Sequence, residues 1–312
     1  MRGDAAGRAR PSAEHSGVRP WLSRRRDAPA VLFLATAALA HFCAAAPARA
    51  QSEQPSPQVR KLAEEFSDPL TTLPQVFTQD IYTPQNFGTH AGTNKLIARL
   101  ILPRVPRFSL LPFVQLIRPS VSLVTVPTGR GSGTRTEFGD TQLFDLAVLP
   151  WPGRETGLLV GVGPLLVFPT ATDPTAGQGA WQIGPALAGI YKGIPGLLLG
   201  TLVQNPVSFA YTSPSRQAVN TLLVQPVVLA YLGHGFYAKS ADSTWTVGWH
   251  HRSGTVLPLS FGIGYVLLRE DLPPINLFVS GEWTAYRQLA PVAPQTSVRF
   301  GLTIAFPEYR PW

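Results

Sequence analysis

Cysteine is nearly absent: Cys43 is the single one, and it lies in a stretch that reads as a cleavable leader. The chain beyond that leader has no thiol, so disulfide scaffolds, thiolate catalysis and cysteine-based metal sites are excluded. Charge is scarce too. Only 14% of residues are Asp, Glu, Lys or Arg, against about 25% in soluble domains. No apolar run reaches the ~18 residues of a membrane-spanning helix. Instead, 31 prolines and 28 glycines punctuate short apolar runs. Short runs separated by such breakers read as strands.

The leader itself is legible. Arg24, Arg25 and Arg26 precede an apolar run, Ala30–Ala40, and then Ala48-Arg49-Ala50. That is the order of a secretory signal, and cleavage is expected after Ala50. His41-Phe42 before Cys43 lacks the small-residue pattern of a lipoprotein. The leader carries eight arginines against Asp4, Glu14 and Asp27, so most of the formal net charge of +8 leaves with it. Nucleic acid is excluded as a partner on that ground.

After Ala50, Val59, Leu62, Ala63 and Phe66 recur at helical spacing, with Arg60, Lys61, Glu64 and Glu65 opposite. Residues 51–70 therefore read as an N-terminal periplasmic segment. A short surface helix is the first expectation, and a plug folded into a lumen is the alternative. From 73 onward there are twelve strand-like runs. They are 73–83, 93–102, 114–127, 139–150, 156–169, 179–192, 196–211, 218–233, 235–250, 255–268, 274–287 and 296–306. The last alternates cleanly, with Val298, Phe300, Leu302, Ile304 and Phe306 against Arg299, Gly301, Thr303 and Ala305. Trp181 and Tyr191 share one face ten residues apart, roughly 25 Å on a tilted strand, the height between two aromatic girdles. The expected fold is all-β: a transmembrane antiparallel barrel of about twelve strands over 71–306, with a tail at 307–312. Links near 103–113, 151–155, 193–195, 234 and 269–273 form a mostly shorter set, assigned to the periplasm. Longer links at 84–92, 128–138, 170–178, 212–217, 251–254 and 288–295 are assigned outside. The fourth and ninth runs need bulges to keep their faces. Pro164, Pro185, Pro226 and Pro258 fall inside runs and count against unbroken ladders.

Two resemblances sharpen this reading. Arg299, Gly301, Ile304 and Phe306 resemble the C-terminal signal of outer-membrane barrels, which implies the barrel assembly machinery as a partner besides outer-membrane lipid. Phe138 to Pro185, with its segments GVGP, FPTA and GAWQIGP, resembles the outer-membrane family named for the MetA pathway of phenol degradation. The similarity runs on through Leu257–Gly264 and the terminal RFGLTIAFP. It implies a single barrel in the outer membrane of a Gram-negative bacterium, a transporter of hydrophobic or aromatic compounds, with no catalytic residue and no cofactor.

Alternation places Lys95, Arg99, Gln182, Gln204, Gln225, Glu282 and Arg299 inside. They either satisfy one another or select solute. Glu282 and Arg299 are expected to pair across the closing hairpin. So few inward charges suit a weakly polar cargo, and glycines at 161, 163, 184, 262 and 264 would thin the wall. His250-His251-Arg252-Ser253 is the one patch tempting as chemistry, but adjacent strand histidines face opposite ways and share no metal readily. A barrel hydrolase of phospholipase type would need a serine such as Ser260 beside His250 and an orienting third group. A structural or adhesive surface barrel is the remaining alternative. TGRGSGTRT at Thr128–Thr136 lacks a phosphate-cradling pattern and reads as an outer loop.

Overall fold

The computed structural model describes residues 57–104, 114–128, 133–149, 157–240, 242–248, 254–290 and 292–309. The leader, the link at 105–113, residues 151–155 and the His250–Ser253 patch lie outside these. Among the described residues one α-helix, α1 (Pro57–Ser67), precedes fifteen strand segments. They are β1 (Gln75–Phe87), β2 (Thr93–Arg104), β3 (Val114–Pro127), β4 (Thr134–Phe138) and β5 (Thr141–Leu149). Then come β6 (Leu158–Phe168), β7 (Ala180–Ile194), β8 (Leu197–Gln204), β9 (Val207–Tyr211) and β10 (Thr221–Gly233). β11 (Phe236–Lys239), β12 (Trp245–Gly248), β13 (Thr255–Arg269), β14 (Leu272–Gln288) and β15 (Ala293–Ala305) complete the sheet.

These segments make a closed antiparallel barrel of twelve staves. β4 with β5, β8 with β9, and β11 with β12 are each one interrupted stave. Both members of a pair bond to the same neighbour: β3, β7 and β10 respectively. β15 closes on β1, from Gln75 opposite Ala305 to Phe87 opposite Ala293. No edge remains exposed, as a bilayer requires.

Alternation decides the faces. In β15 the buried Ser297, Arg299, Gly301, Thr303 and Ala305 interleave with exposed Val298 and Leu302. Leu96, Leu100, Val121, Ile183, Leu187 and Phe261 are likewise exposed, and this apolar band circles the barrel. Trp181 and Tyr191 both lie on it. At one mouth, among the described residues, three turns are two residues long: Pro195-Gly196, His234-Gly235 and Glu270-Asp271. His234 (φ 51) and Gly235 (φ 86) are both left-handed, which a two-residue hairpin turn with the sheet's twist demands. Longer connections gather at the other mouth.

The twelve runs match the staves, with four departures, the first being that the seventh run is interrupted at Asn205-Pro206, between β8 and β9. Thr134–Phe138, assigned to an outer link, is strand β4 and prolongs the hairpin with β3. The fourth run, read as starting at 139, becomes strand only at Thr141: its stave is interrupted at Gly139-Asp140, where Asp140 turns to the neighbouring loop, accepting from Ala171 N (3.3 Å) and Gln178 N (2.6 Å). The ninth breaks between Lys239 and Trp245. Each interior proline meets an irregular ladder. Pro258 sits at a register shift, Pro164 at a gap in the β5–β6 pairing, and Pro185 opposite the Asn205-Pro206 break. The Pro226 carbonyl accepts Ser240 Oγ (3.1 Å) at the β11–β12 break.

Candidate functional site

The interior has two halves. Toward the short-turn mouth it is filled. Leu116, Leu146, Leu165, Ile190, Leu198, Leu202 and Leu229 point inward from successive staves and are fully buried. α1 belongs to this cluster: Ala63 and Phe66 are buried in it, Val59 and Leu62 pack beside it, and Leu70 and Leu73 come next along the chain. Of the two placements expected for the helix, the surface one is corrected. Its stripe finds an apolar partner only inside the barrel wall, so it is the plug. A polar latch fixes it there. Lys192 Nζ reaches Asp68 Oδ2 (2.5 Å) and Glu65 Oε1 (3.3 Å), while Gly196 N donates to Glu64 Oε1 (2.9 Å). A cleft of about 620 Å³ remains between helix and rim, lined by Arg60, Glu64, Asp68 and Lys192 among others.

The supposed thin wall is also corrected. The space beside Gly161 is taken by Leu70, that beside Gly264 by Tyr237, and that beside Gly262 by Ser280. At Gly163 and Gly184 the neighbouring backbones of Asp145 and Asn205 come too close for any Cβ. These glycines admit neighbours and do not widen a bore.

Beyond the fill the inner face is polar. Gln182 donates to Gln178 Oε1 (2.5 Å), and Gln204 is buried nearby on β8. Lys95 remains exposed on the inner face of β2, two steps of alternation from Arg99, whose guanidinium carbon stands 5.0 Å over the Phe77 ring. Gln225 Nε2 donates to Asp242 Oδ1 (3.3 Å). Arg299 and Glu282 do pair, Nη2 to Oε2 at 2.5 Å. Their register differs from expectation: Arg299 stands opposite Ser280, and Glu282 opposite Ser297. The pair is therefore diagonal, spanned by the long arginine.

Three inward charges escape the sequence reading, and the expectation of few is corrected. Arg118 packs 4.4 Å over Phe144. Lys239 Nζ lies 3.6 Å over Phe278 and 4.0 Å from Asp242 Oδ2. Asp242 comes from the break between β11 and β12, which folds inward. There Arg299 Nη1 donates to the Asp242 carbonyl (3.1 Å) and Ser243 Oγ to Glu282 Oε2 (2.5 Å). Arg118 had a signal: outward Ile117, Pro119, Val121 and Leu123 alternate with it. The break hid Lys239 and Asp242.

The hydrolase geometry is not assembled among the described residues. Ser260 Oγ donates to the Ser240 carbonyl. His90 lies in the loop after β1, bonded to Gln85 (3.0 Å), and His234 in a turn at the opposite mouth. No group of three metal-binding side chains occurs among the described residues.

No family model and no curated protein matches the chain. Among solved structures it is similar to an outer membrane channel from Pseudomonas putida F1, at 12% identity and a TM-score of 0.50. That match covers 77% of this chain and 98% of the channel. The NanC porin aligns at 11% identity, TM-score 0.45, over 74% and 98% of the two chains. The CymD monoaromatic hydrocarbon channel aligns at 9%, TM-score 0.37, over 80% and 93%. The likeness is one of fold: a closed antiparallel β-barrel.

Proposed function

We propose that the chain is an outer-membrane barrel giving small organic compounds a passive path across the envelope, weakly polar and aromatic ones among them. The observation that carries this is the interior. It is polar and still accessible at Lys95 and Gln225 on the long-loop side, and it is closed on the other side by a helix held with a few polar contacts. A barrel that served only as a surface anchor has no need of that division. Twelve staves enclose more room than the eight-stranded barrels that side chains fill, and less than a 16-stranded porin. The resemblance to the family named for the MetA pathway of phenol degradation supports an aromatic solute, and the fold likeness to a channel supports conduction. On this reading the chain is a conduit and not an enzyme. It is exported by the leader cleaved after Ala50, and the barrel assembly machinery recognises it through Arg299, Gly301, Ile304 and Phe306.

The test is uptake of phenols, sugars and amino acids into liposomes carrying the purified protein. Phenols should enter faster than into empty liposomes, and faster still when residues 51–66 are deleted. Uptake of every solute at the empty-liposome rate, with or without the helix, leaves a structural or adhesive barrel as the better account.

A further inference from the structure

We propose that the polar half of the lumen is an anion-selecting constriction whose solutes are small organic anions, an apolar or aromatic body carrying one carboxylate. This rests on the transport reading and narrows its solute. Five cations face inward, Lys95, Arg99, Arg118, Lys239 and Arg299, against the carboxylates of Asp242 and Glu282. Both carboxylates are engaged. Glu282 holds Arg299 and Ser243, and Asp242 holds Gln225 and faces Lys239, Arg99, Arg299 and Arg118 at once. Asp140, the other acidic group toward Lys95, is taken by the backbone of the 169–179 loop. Two carboxylates leave a surplus of positive charge in a narrow, largely buried lumen, where a field acts with less screening than in open water.

Three of the five cations are held in a way that leaves donors unspent. Arg99, Arg118 and Lys239 rest on Phe77, Phe144 and Phe278, and all three rings are buried. A cation on a ring face is stabilised electrostatically without using its N–H groups. Arg118 Nε has no hydrogen-bond partner among the described residues, although the side chain is only 7% exposed. Phe77 and Phe278 are themselves stacked, centroids 6.2 Å apart, so two of the cations bracket one aromatic pair. Next to this belt lies the apolar fill around Leu146, Leu165 and Leu202. A carboxylate would meet the guanidinium and ammonium donors while its body meets rings and leucines. A bare inorganic anion uses only the first, and a neutral phenol only the second.

The experiment compares benzoate, benzyl alcohol and benzylamine in liposomes containing the intact barrel, together with the chloride-to-potassium permeability ratio in planar bilayers. Benzoate should enter about tenfold or more faster than benzylamine, since a focused field changes encounter rates by about 10–1,000-fold. Chloride should be preferred over potassium. In the combined variant Arg99→Met, Arg118→Met, Lys239→Met, the benzoate-to-benzyl alcohol ratio should fall toward that of empty liposomes, while Arg99→Lys with Arg118→Lys retains it. Equal entry of all three probes through the intact barrel overturns the inference and leaves the transport reading standing. Entry of none above background, both in the intact chain and after deletion of residues 51–66, overturns the transport reading itself. The comparison of probes on the intact chain decides the matter even where the triple variant fails to fold.

Discussion

Asp173 ties two outer loops together. Its Oδ1 accepts from the hydroxyl of Thr175 (2.7 Å), the backbone N of Thr175 (2.9 Å) and Arg135 Nη2 (2.7 Å). The Thr175 hydroxyl, then its N–H, then Arg135 hold this carboxyl below the ordinary aspartate value of 3.8. A depressed value means the contribution to loop order is present at neutral pH and is lost as pH falls through the folded-state value. A carboxyl-carbon NMR titration in detergent micelles should place the Asp173 midpoint under 3.8. In Thr175→Val, which keeps the backbone donor but not the hydroxyl, the midpoint should move up. A midpoint at or above 3.8 in the intact chain would remove the tie. Residues like this one were beyond reach in the sequence, because Arg135 and Asp173 sit on different hairpins and meet only when these stand side by side. Gln182, Gln204, Glu282 and Arg299 were legible because strand alternation assigns a face without knowing any neighbour. Lys239 was not, since the break after it resets the count.

At the level of elements, strands were readable and the helix's location was not. An amphipathic stripe says that an apolar partner exists; it does not say whether that partner is a membrane surface or the inside of a barrel. The latch decides how firmly α1 stays. The Asp68 carboxylate side chain is 0% exposed, and Lys192 is the cation on it. Removing one partner of a buried ion pair costs on the order of 3–5 kcal/mol, comparable with burying one or two large apolar side chains at about 1.5–3 kcal/mol each. Lys192→Met should therefore loosen α1 without dissolving the barrel, whose ladders it does not touch. The expected outcome is faster hydrogen exchange across Pro57–Ser67 and longer-lived conductance in planar bilayers. Unchanged exchange in the helix would mean that the apolar stripe alone holds the plug and that the ion pairs are incidental.

For the whole molecule, an even number of staves brings β1 and β15 side by side with their outer ends at one mouth, where Phe306 N donates to the Pro74 carbonyl (2.9 Å). The same mouth holds the two-residue turns and α1. In outer-membrane barrels short turns face the periplasm and long connections face out, so the expected topology puts the Arg135 and Asp173 loops outside and the Pro195-Gly196 turn inside. The outward face does not by itself choose between the two orientations; its apolar band is interrupted in mid-strand by Asp80, opposite Phe300 and Leu96, and by Asp145, opposite Ile117. The loop lengths choose, and they were legible from the spacing of the twelve runs. The assignment is open to direct attack: trypsin added to intact cells expressing the protein should cut within 128–138, where Arg135 is exposed, and spare Lys192 beside the 195–196 turn. After the outer membrane is permeabilised, cleavage should extend to Arg60 and Lys61 of α1, and sooner in Lys192→Met than in the intact chain. Cutting confined to Lys192 and the helix in intact cells would turn the barrel over, placing the plug at the cell surface and the cationic belt on the periplasmic side of it.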